Sequence, residues 1–161
     1  MKETEGKLIA VVRIRGEVGI NPDIRDCLNL MKLHRKHRLI LARNTPSMRG
    51  MINKVKDYCT FGEVDAKTIE EILIKRGKLP GNKDLTKSYI KKVSKSDLKT
   101  FSKEMSEGKT SLKDLTGVKT FFKLHPPVGG FERMGIKKPY ARGGSLGYRG
   151  KDMNILVKKM I

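Results

Sequence analysis

The sequence predicts an α/β (α+β) protein, a two-layer sandwich in which helices cover one face of a sheet. Three observations lead to this fold class. Short apolar runs rich in β-branched residues predict strands in the first half of the chain. Asn-Pro and Thr-Pro pairs each open a segment with apolar residues at helical spacing, which predicts a helix between successive strands. Each of these helices has one apolar face, so each packs on one side of the sheet.

The first strand and the first helix follow from the first 31 residues. Residues 8–14 (LIAVVRI) form a short, mostly apolar run rich in β-branched residues, which is typical of a buried strand. Asn21 is a favourable N-cap, and Pro22 at the first helical position loses no backbone hydrogen bond. The apolar residues that follow recur at i, i+3, i+4 and i+7, and they are Ile24, Cys27, Leu28 and Met31.

A second helix of the same design is predicted between two further strands. Residues 38–42 (RLILA) predict the second strand, and Thr45 with Pro46 repeats the capping arrangement. The second apolar stripe consists of Met48, Met51, Ile52 and Val55. Residues 60–64 predict a third strand, which completes a β-α-β-α-β core. This core resembles a ferredoxin-like arrangement, and the sequence leaves the strand order open.

The rest of the chain predicts fewer regular elements. A third helix begins after Asp65 and ends near Gly77, residues 84–107 look helical, and residues 118–124 and 155–157 predict short strands. We therefore expect two parts. Residues 1–80 are the core with its following helix, and residues 81–161 are a basic helical segment, an extended Gly-rich arm and a C-terminal strand.

The net charge of the chain indicates the kind of partner that it binds. Lys and Arg number 36 against 17 acidic residues, which gives a formal net charge of +19. Such a field attracts nucleic acid irrespective of its sequence. The sequence has no signal peptide and no run of about 18 apolar residues, so we expect a cytoplasmic protein without a membrane partner. Cys27 and Cys59 lie inside apolar patterns and are expected to be reduced core residues.

The Gly-rich arm, residues 125–151, is the most informative segment. It contains seven Gly, three Pro, six basic residues and one acid, so it cannot hold a long helix or a central strand. Arg and Lys meet phosphates and Tyr stacks on bases, which predicts binding to folded RNA. The alternative is a flexible basic linker, but an apolar run follows the segment and anchors it. The predicted contacts are Arg133, Lys137, Lys138, Tyr140, Arg142, Tyr148, Arg149 and Lys151.

An enzyme acting on RNA is the competing class, and the sequence gives it little support. The two cysteines lack the paired spacing of a zinc site, and His34 and His37 lie among cations that discourage a metal. His125 precedes two prolines and has no acidic neighbour in sequence to orient it. Glu70 and Glu71 are adjacent in a helix and point in different directions. We therefore expect no catalytic residue, no metal, no cofactor and no small-molecule substrate.

Residues 44–58 (NTPSMRGMINKVKDY) resemble the signature of the large-subunit ribosomal protein 30 family, whose kernel is TP, two variable residues and RGMINKV. Bacterial members resemble only residues 7–64. The remaining segments, including GKLPGNK and HPPVGGFER, resemble the longer archaeal and eukaryotic form, called ribosomal protein 7 of the large subunit in eukaryotes. The chain begins seven residues before its first strand, without a long basic tail, which points to the archaeal type.

The resemblance implies a structural constituent of the large ribosomal subunit that binds 23S-type ribosomal RNA, near 5S RNA, beside other ribosomal proteins in the cytoplasm. It implies that Thr45 caps the second helix. On that helix Arg49, Asn53 and Lys54 share a side opposite the apolar stripe and face RNA. The basic connection HRKHR adds Arg35, Lys36 and Arg38 to the predicted RNA contacts. A transient ribosome-assembly factor or RNA chaperone has the same composition, and only the kernel favours a permanent component.

Overall fold

Five strands form one open sheet in the computed structural model, which describes residues 6–94 and 96–161. The strands are β1 Leu8–Arg13, β2 Arg38–Arg43, β3 Cys59–Glu63, β4 Phe121–Lys123 and β5 Gly147–Tyr148. Their order is β4-β2-β1-β3-β5, so the first strand is central. The helices are α1 Pro22–Leu30, α2 Pro46–Val55, α3 Ala66–Arg76, α4 Lys87–Ser94, α5 Leu98–Ser106 and α6 Met153–Met160.

The pairing of β1 defines the topology. It runs antiparallel to both neighbours, with Ala10 opposite Leu41 of β2 and opposite Gly62 of β3. Hence β2 and β3 run in the same direction, with β1 between them, and α2 connects them as a split β-α-β unit. The predicted fold class, a mixed α/β sandwich, is confirmed.

One face of the sheet is covered by α1 and α2. The Asn21 carboxamide accepts a hydrogen bond from the Asp23 N–H at 2.9 Å, and the Thr45 hydroxyl accepts one from the Met48 N–H at 3.2 Å. Both of these predicted caps are therefore present, whereas Asp65, which was also predicted as an N-cap, precedes α3 without a side-chain capping hydrogen bond. The core on this face also contains both cysteines, which are buried and not bonded to each other. Burial raises the pKa of the Cys59 thiol to about 12, so this group is an inert core residue.

The opposite face carries a further layer of helices. All six residues of β1 are buried, and they alternate between two cores: Ile9 and Val11 face α1 and α2, while Leu8, Ala10 and Val12 face the other side. Residues of α3, α4, α5 and α6 build that second core. The two-layer core predicted from the first half thus gains a third layer from the remainder of the chain.

The predicted C-terminal strand at residues 155–157 is wrong, because this segment lies within α6. Its buried residues recur at helical spacing and are Met153, Leu156, Val157 and Met160, whereas Ile155 is 58% exposed. The region predicted as helical, residues 84–107, contains α4 and α5 as two separate helices. The division at residue 80 stays a prediction, although β4, β5 and the second core join residues from both sides of it.

The Gly-rich segment 125–151 contains no long helix or strand, as its composition predicts, and it packs against the sheet. Strand β5 pairs in parallel with β3, with Thr60 opposite Gly147. A Cβ at Gly62 would lie 2.3 Å from the backbone oxygen of Gly150, so only glycine permits this close approach. Four short 3₁₀ turns complete the described elements, at Pro80–Asn82, Leu112–Asp114, Tyr140–Arg142 and Gly150–Asp152.

Candidate nucleic-acid interface

Several basic segments meet at one end of the sheet. Arg13, the last residue of β1, pairs with Cys59, the first residue of β3. Arg38 at the start of β2 pairs with Lys123 at the end of β4. Strand β5 also begins at this end, beside Thr60. The connection HRKHR, the end of α2 and the approach to β5 therefore converge there, although they lie far apart in sequence.

A buried arginine shapes the HRKHR connection. Arg13 is 1% exposed, and its guanidinium donates to the backbone oxygens of Leu33 at 2.8 Å and His34 at 2.7 Å. It also forms an ion pair with Glu17 at 3.2 Å. These bonds fix the backbone where the connection begins, and the next two cations, Arg35 and Lys36, are exposed.

The last two residues of the connection contact other parts of the protein. The His37 ring stacks on the Phe131 ring of the Gly-rich segment, with centroids 6.2 Å apart. Burial, together with the nearby Lys36 charge, lowers the pKa of His37, so it stays neutral at neutral pH. The Arg38 guanidinium lies 4.5 Å from the centre of the Phe121 ring and is partly buried. Arg38 is thus less available than Arg35 and Lys36.

Helix α2 presents its polar side as predicted. Asn53 and Lys54 are exposed, Arg49 is partly exposed, and Ile52 and Val55 are buried against the sheet.

Two further cations lie beside the end of this helix. Tyr58 follows α2, and its ring lies under the Arg15 guanidinium at 4.8 Å. No sequence pattern singles out Arg15 or the exposed Lys56, because each lies where one element ends and the next begins. Only the strand order places them beside the HRKHR connection.

We call the group Arg15, Arg35, Lys36, Lys54 and Lys56 the basic end of the sheet. All five residues reach solvent at least in part. Two acids, Glu17 and Asp57, lie close to them in sequence, and Glu17 is already paired with Arg13. The surface is therefore predominantly cationic.

The segment between Phe131 and β5 is a closed loop, residues 133–146. Its backbone is linked across the loop by the Met134 N–H to the Gly143 oxygen at 3.2 Å, and by the Ser145 N–H to the Lys138 oxygen at 3.0 Å. A Cβ at Gly144 would lie 2.1 Å from the latter oxygen. The predicted contacts in and just beyond this loop are exposed, and they are Arg133, Lys137, Lys138, Arg142 and Lys151.

Arg149, in contrast, is not placed to meet a phosphate. Its side chain is 2% exposed, and both terminal nitrogens donate to the Glu132 carboxylate. The same guanidinium reaches the Ser145 backbone oxygen at 3.2 Å and the Thr60 hydroxyl at 3.3 Å. The prediction that grouped Arg149 with the exposed cations is therefore corrected, since the Arg149 guanidinium is buried and paired with Glu132.

The two tyrosines predicted to contact RNA, Tyr140 and Tyr148, differ in how much of the ring is exposed. The Tyr148 hydroxyl donates to Glu63 at 2.7 Å, which raises the pKa of Tyr148 to about 12, and the residue is 44% exposed. The Tyr140 hydroxyl donates to Asp152 at 2.6 Å, and its ring lies 4.3 Å from the Arg149 guanidinium. Tyr148 thus retains exposed ring surface, whereas one face of Tyr140 is already covered.

Neither a metal-binding group nor a membrane-spanning helix is found in the part of the chain that the structure describes. Residues 6–94 and 96–161 contain no group of three or more His, Cys, Asp or Glu side chains arranged to hold a metal ion. Among the same residues, no helix is both long and apolar enough to cross a membrane.

The fold and this surface define a small basic α/β protein suited to a polyanionic partner. A family described as "Ribosomal protein L30p/L7e" matches residues 9–59. The chain is 46% identical over 154 residues to "Large ribosomal subunit protein uL30" of Nanoarchaeum equitans, covering 96% of this chain and 99% of the relative. The protein of the same name from Methanopyrus kandleri is 44% identical over 149 residues, covering 92% of this chain and 100% of that relative.

The chain therefore belongs to the L30p/L7e family of ribosomal proteins. The matches to these archaeal relatives extend far beyond residues 9–59 and cover nearly the whole chain, as the resemblance in the sequence predicted. This membership places the chain among ribosomal proteins, which are structural components and not enzymes.

Proposed function

We propose that this chain is a structural constituent of the large ribosomal subunit that binds 23S-type ribosomal RNA close to 5S RNA. The observation that carries the proposal is the 46% identity over nearly the full length of a protein named for the large subunit. The exposed cations supply the physical reason for RNA as the direct partner. Neighbouring ribosomal proteins complete its surroundings, and its place of action is the cytoplasmic ribosome.

The mechanism is electrostatic binding by two surfaces that adjoin. The basic end of the sheet contacts one RNA element, and loop 133–146 contacts a second. The stacking of His37 on Phe131 at 6.2 Å joins the two surfaces, so they act at a defined distance from each other. Each phosphate neutralised by Lys or Arg releases condensed counterions, which favours binding at low salt. Tyr148 supplies an exposed ring for a base or ribose.

The proposal is tested by sedimentation of a native lysate with quantitative detection of this chain. The large subunits are then washed with high salt and sedimented again. We expect one copy per mature large subunit before the wash and retention of most of it afterwards. A chain found on immature particles alone, or lost to the top fractions of the gradient, would instead identify a transient assembly factor or RNA chaperone.

The RNA neighbourhood requires a second measurement. Ultraviolet crosslinking within purified subunits, followed by sequencing of the attached RNA, should recover 23S-type fragments and 5S RNA. Crosslinked peptides should include loop 133–146 and the basic end of the sheet. Recovery of 23S-type fragments without 5S RNA would keep the structural role and remove the proposed position near 5S RNA.

A further inference from the structure

The single acid of segment 125–151, Glu132, is bound on both of its oxygens. Both carboxylate oxygens accept hydrogen bonds from Arg149, and one of them also accepts from the Ser145 hydroxyl at 2.7 Å. Burial by itself raises the pKa of Glu132, but the hydrogen bonds from Arg149 and Ser145 outweigh it and lower the pKa to about 2. The carboxylate is therefore ionised at neutral pH and, although its side chain is 28% exposed, it is held in place by Arg149 and Ser145.

Arg149 connects this carboxylate to the sheet. Its Nε donates to the Thr60 hydroxyl in β3 at 3.3 Å, and that hydroxyl in turn donates to the Gly147 backbone oxygen at 3.0 Å. The guanidinium also reaches the Ser145 backbone oxygen and lies over the Tyr140 ring. Glu132 precedes loop 133–146, and Ser145 lies at its end. One buried guanidinium thus fastens both ends of the loop to β3.

We propose that Glu132 and Arg149 are positioning residues that hold loop 133–146 in its RNA-binding form before RNA arrives. The inference rests on the proposed function, since it assumes that the exposed cations of this loop meet RNA. The loop carries Arg133, Lys137, Lys138 and Arg142 on glycine-rich backbone, and ordering such a backbone only on binding would weaken the complex. Because the Glu132–Arg149 pair already orders the loop in the free protein, the loop loses little conformational entropy when RNA binds.

The direction in which Glu132→Gln changes the affinity for RNA distinguishes a positioning role from an effect of net charge. Glu132→Gln removes a negative charge from a protein whose net charge is already +19, so charge alone predicts tighter binding to RNA. Positioning predicts weaker binding. Arg149→Lys leaves the net charge unchanged but removes the planar fork that meets two carboxylate oxygens, so it should weaken binding as well. Asp26→Asn, on the exposed surface of α1, removes the same charge away from the loop and is the matched control.

The experiment measures binding of the full-length variants to large-subunit ribosomal RNA stripped of protein, over a range of salt. We expect Glu132→Gln and Arg149→Lys to bind roughly tenfold more weakly, as the cost of ordering a few side chains predicts. The salt dependence should not change, because the same phosphates are contacted once the loop has formed. Asp26→Asn should bind at least as tightly as the wild type. Glu132→Asp keeps a carboxylate and should bind with intermediate affinity.

Hydrogen exchange on the free proteins gives an independent result. Amides of residues 133–146 should exchange faster in Glu132→Gln, while those of α1 and α2 should not change. If Glu132→Gln does not fold, the same comparison is made with Glu132→Asp. Unchanged exchange in the loop, or tighter RNA binding by Glu132→Gln, would overturn the positioning role. Failure of the wild type to bind the RNA would instead contradict the proposed function, and the exchange result would still decide whether the pair holds the loop.

Discussion

Two arginines in the same glycine-rich segment have opposite environments. Arg142 is exposed, whereas the Arg149 side chain is 2% exposed. Both lie between glycines and aromatic residues in sequence, and for this reason no local pattern distinguishes them. They differ because Glu132, 17 residues before Arg149, returns to within hydrogen-bond distance of it. Composition predicts that a segment is cationic, but only a tertiary contact determines which charges remain available.

The Glu132–Arg149 pair should also produce a defined dependence of stability on pH. The pKa of Glu132 is lowered from 4.5 to about 2 in the folded protein, so its stabilising contribution is complete above about pH 4.5. This contribution should disappear as the pH falls from about 4.5 to 2. We expect the difference in unfolding free energy between the wild type and Glu132→Gln to be the same at pH 7 and at pH 5.5. Below about pH 4.5 this difference should become smaller. Denaturant titrations would contradict this if the difference were constant to pH 2.

At the level of single elements, α6 shows that three residues are too few to distinguish a strand from a helix. Residues 155–157 are three consecutive apolar residues, and so short a run cannot distinguish a strand from a helix. The longer segment 153–160 has buried residues at i, i+3, i+4 and i+7, which is the helical period. By contrast, α1 and α2 were predicted correctly because each carries a Pro at its first position, a capping side chain and a full apolar stripe.

Two neighbouring residues test the helical assignment of α6. Leu156 is 3% exposed, so Leu156→Ala should lower the unfolding free energy by roughly 2–5 kcal/mol. Ile155 is 58% exposed and points away from the core, so Ile155→Ala should change it by less than about 0.5 kcal/mol. Thermal or denaturant unfolding gives both values. Equal losses at the two positions would be inconsistent with this helix.

Loop 133–146 should determine incorporation into the subunit through its exposed charges. The double substitution Lys137→Glu and Arg142→Glu should reduce occupancy on large subunits. It should also lower the slope of log affinity against log salt by about 0.7–0.9 for each phosphate that the loop no longer neutralises. The unfolding free energy of this double variant should be close to that of the wild type, because both side chains are exposed. The measurement is quantitative sedimentation combined with RNA binding at several salt concentrations.

A matched control separates position from net charge. Lys67→Glu and Lys87→Glu change the net charge by the same amount at exposed positions in the first turns of α3 and α4. Acidic residues are favourable there because of the helix dipole, so the helices should not be weakened. Equal loss of occupancy in both double variants would show that only net charge matters and that the loop has no special role.

At the scale of the whole molecule, the sheet joins two parts of the chain that were predicted to be separate. Leu8, Ala10 and Val12 of β1 face a core that includes Phe101, Phe122 and Leu156, all from the second half of the chain. The central strand is therefore covered on both sides. The apolar run of residues 8–12 fits this burial, since a strand with one wet face alternates apolar and polar residues, but the sequence was interpreted as a two-layer sandwich with one covered face.

The division at residue 80 can be tested directly with a fragment. If residues 1–80 were an independent domain, the fragment should unfold cooperatively at the same denaturant concentration as the full chain. We expect it to unfold at a lower concentration and to bind a dye specific for exposed apolar surface, because one face of β1 loses its cover. A monomeric fragment as stable as the full chain would support the predicted division.

The sequence by itself determined the fold class, the strands and caps of the core, the absence of catalytic and zinc-binding motifs, and the resemblance to one ribosomal family. These features depend on local spacing and on net charge, which the printed residues carry directly. The tertiary structure alone decided the strand order, the third layer, the meeting of HRKHR with the Gly-rich loop, and the burial of Arg149. Each of these depends on contacts between residues far apart in sequence, such as His37 with Phe131 and Thr60 with Arg149, which no local pattern encodes.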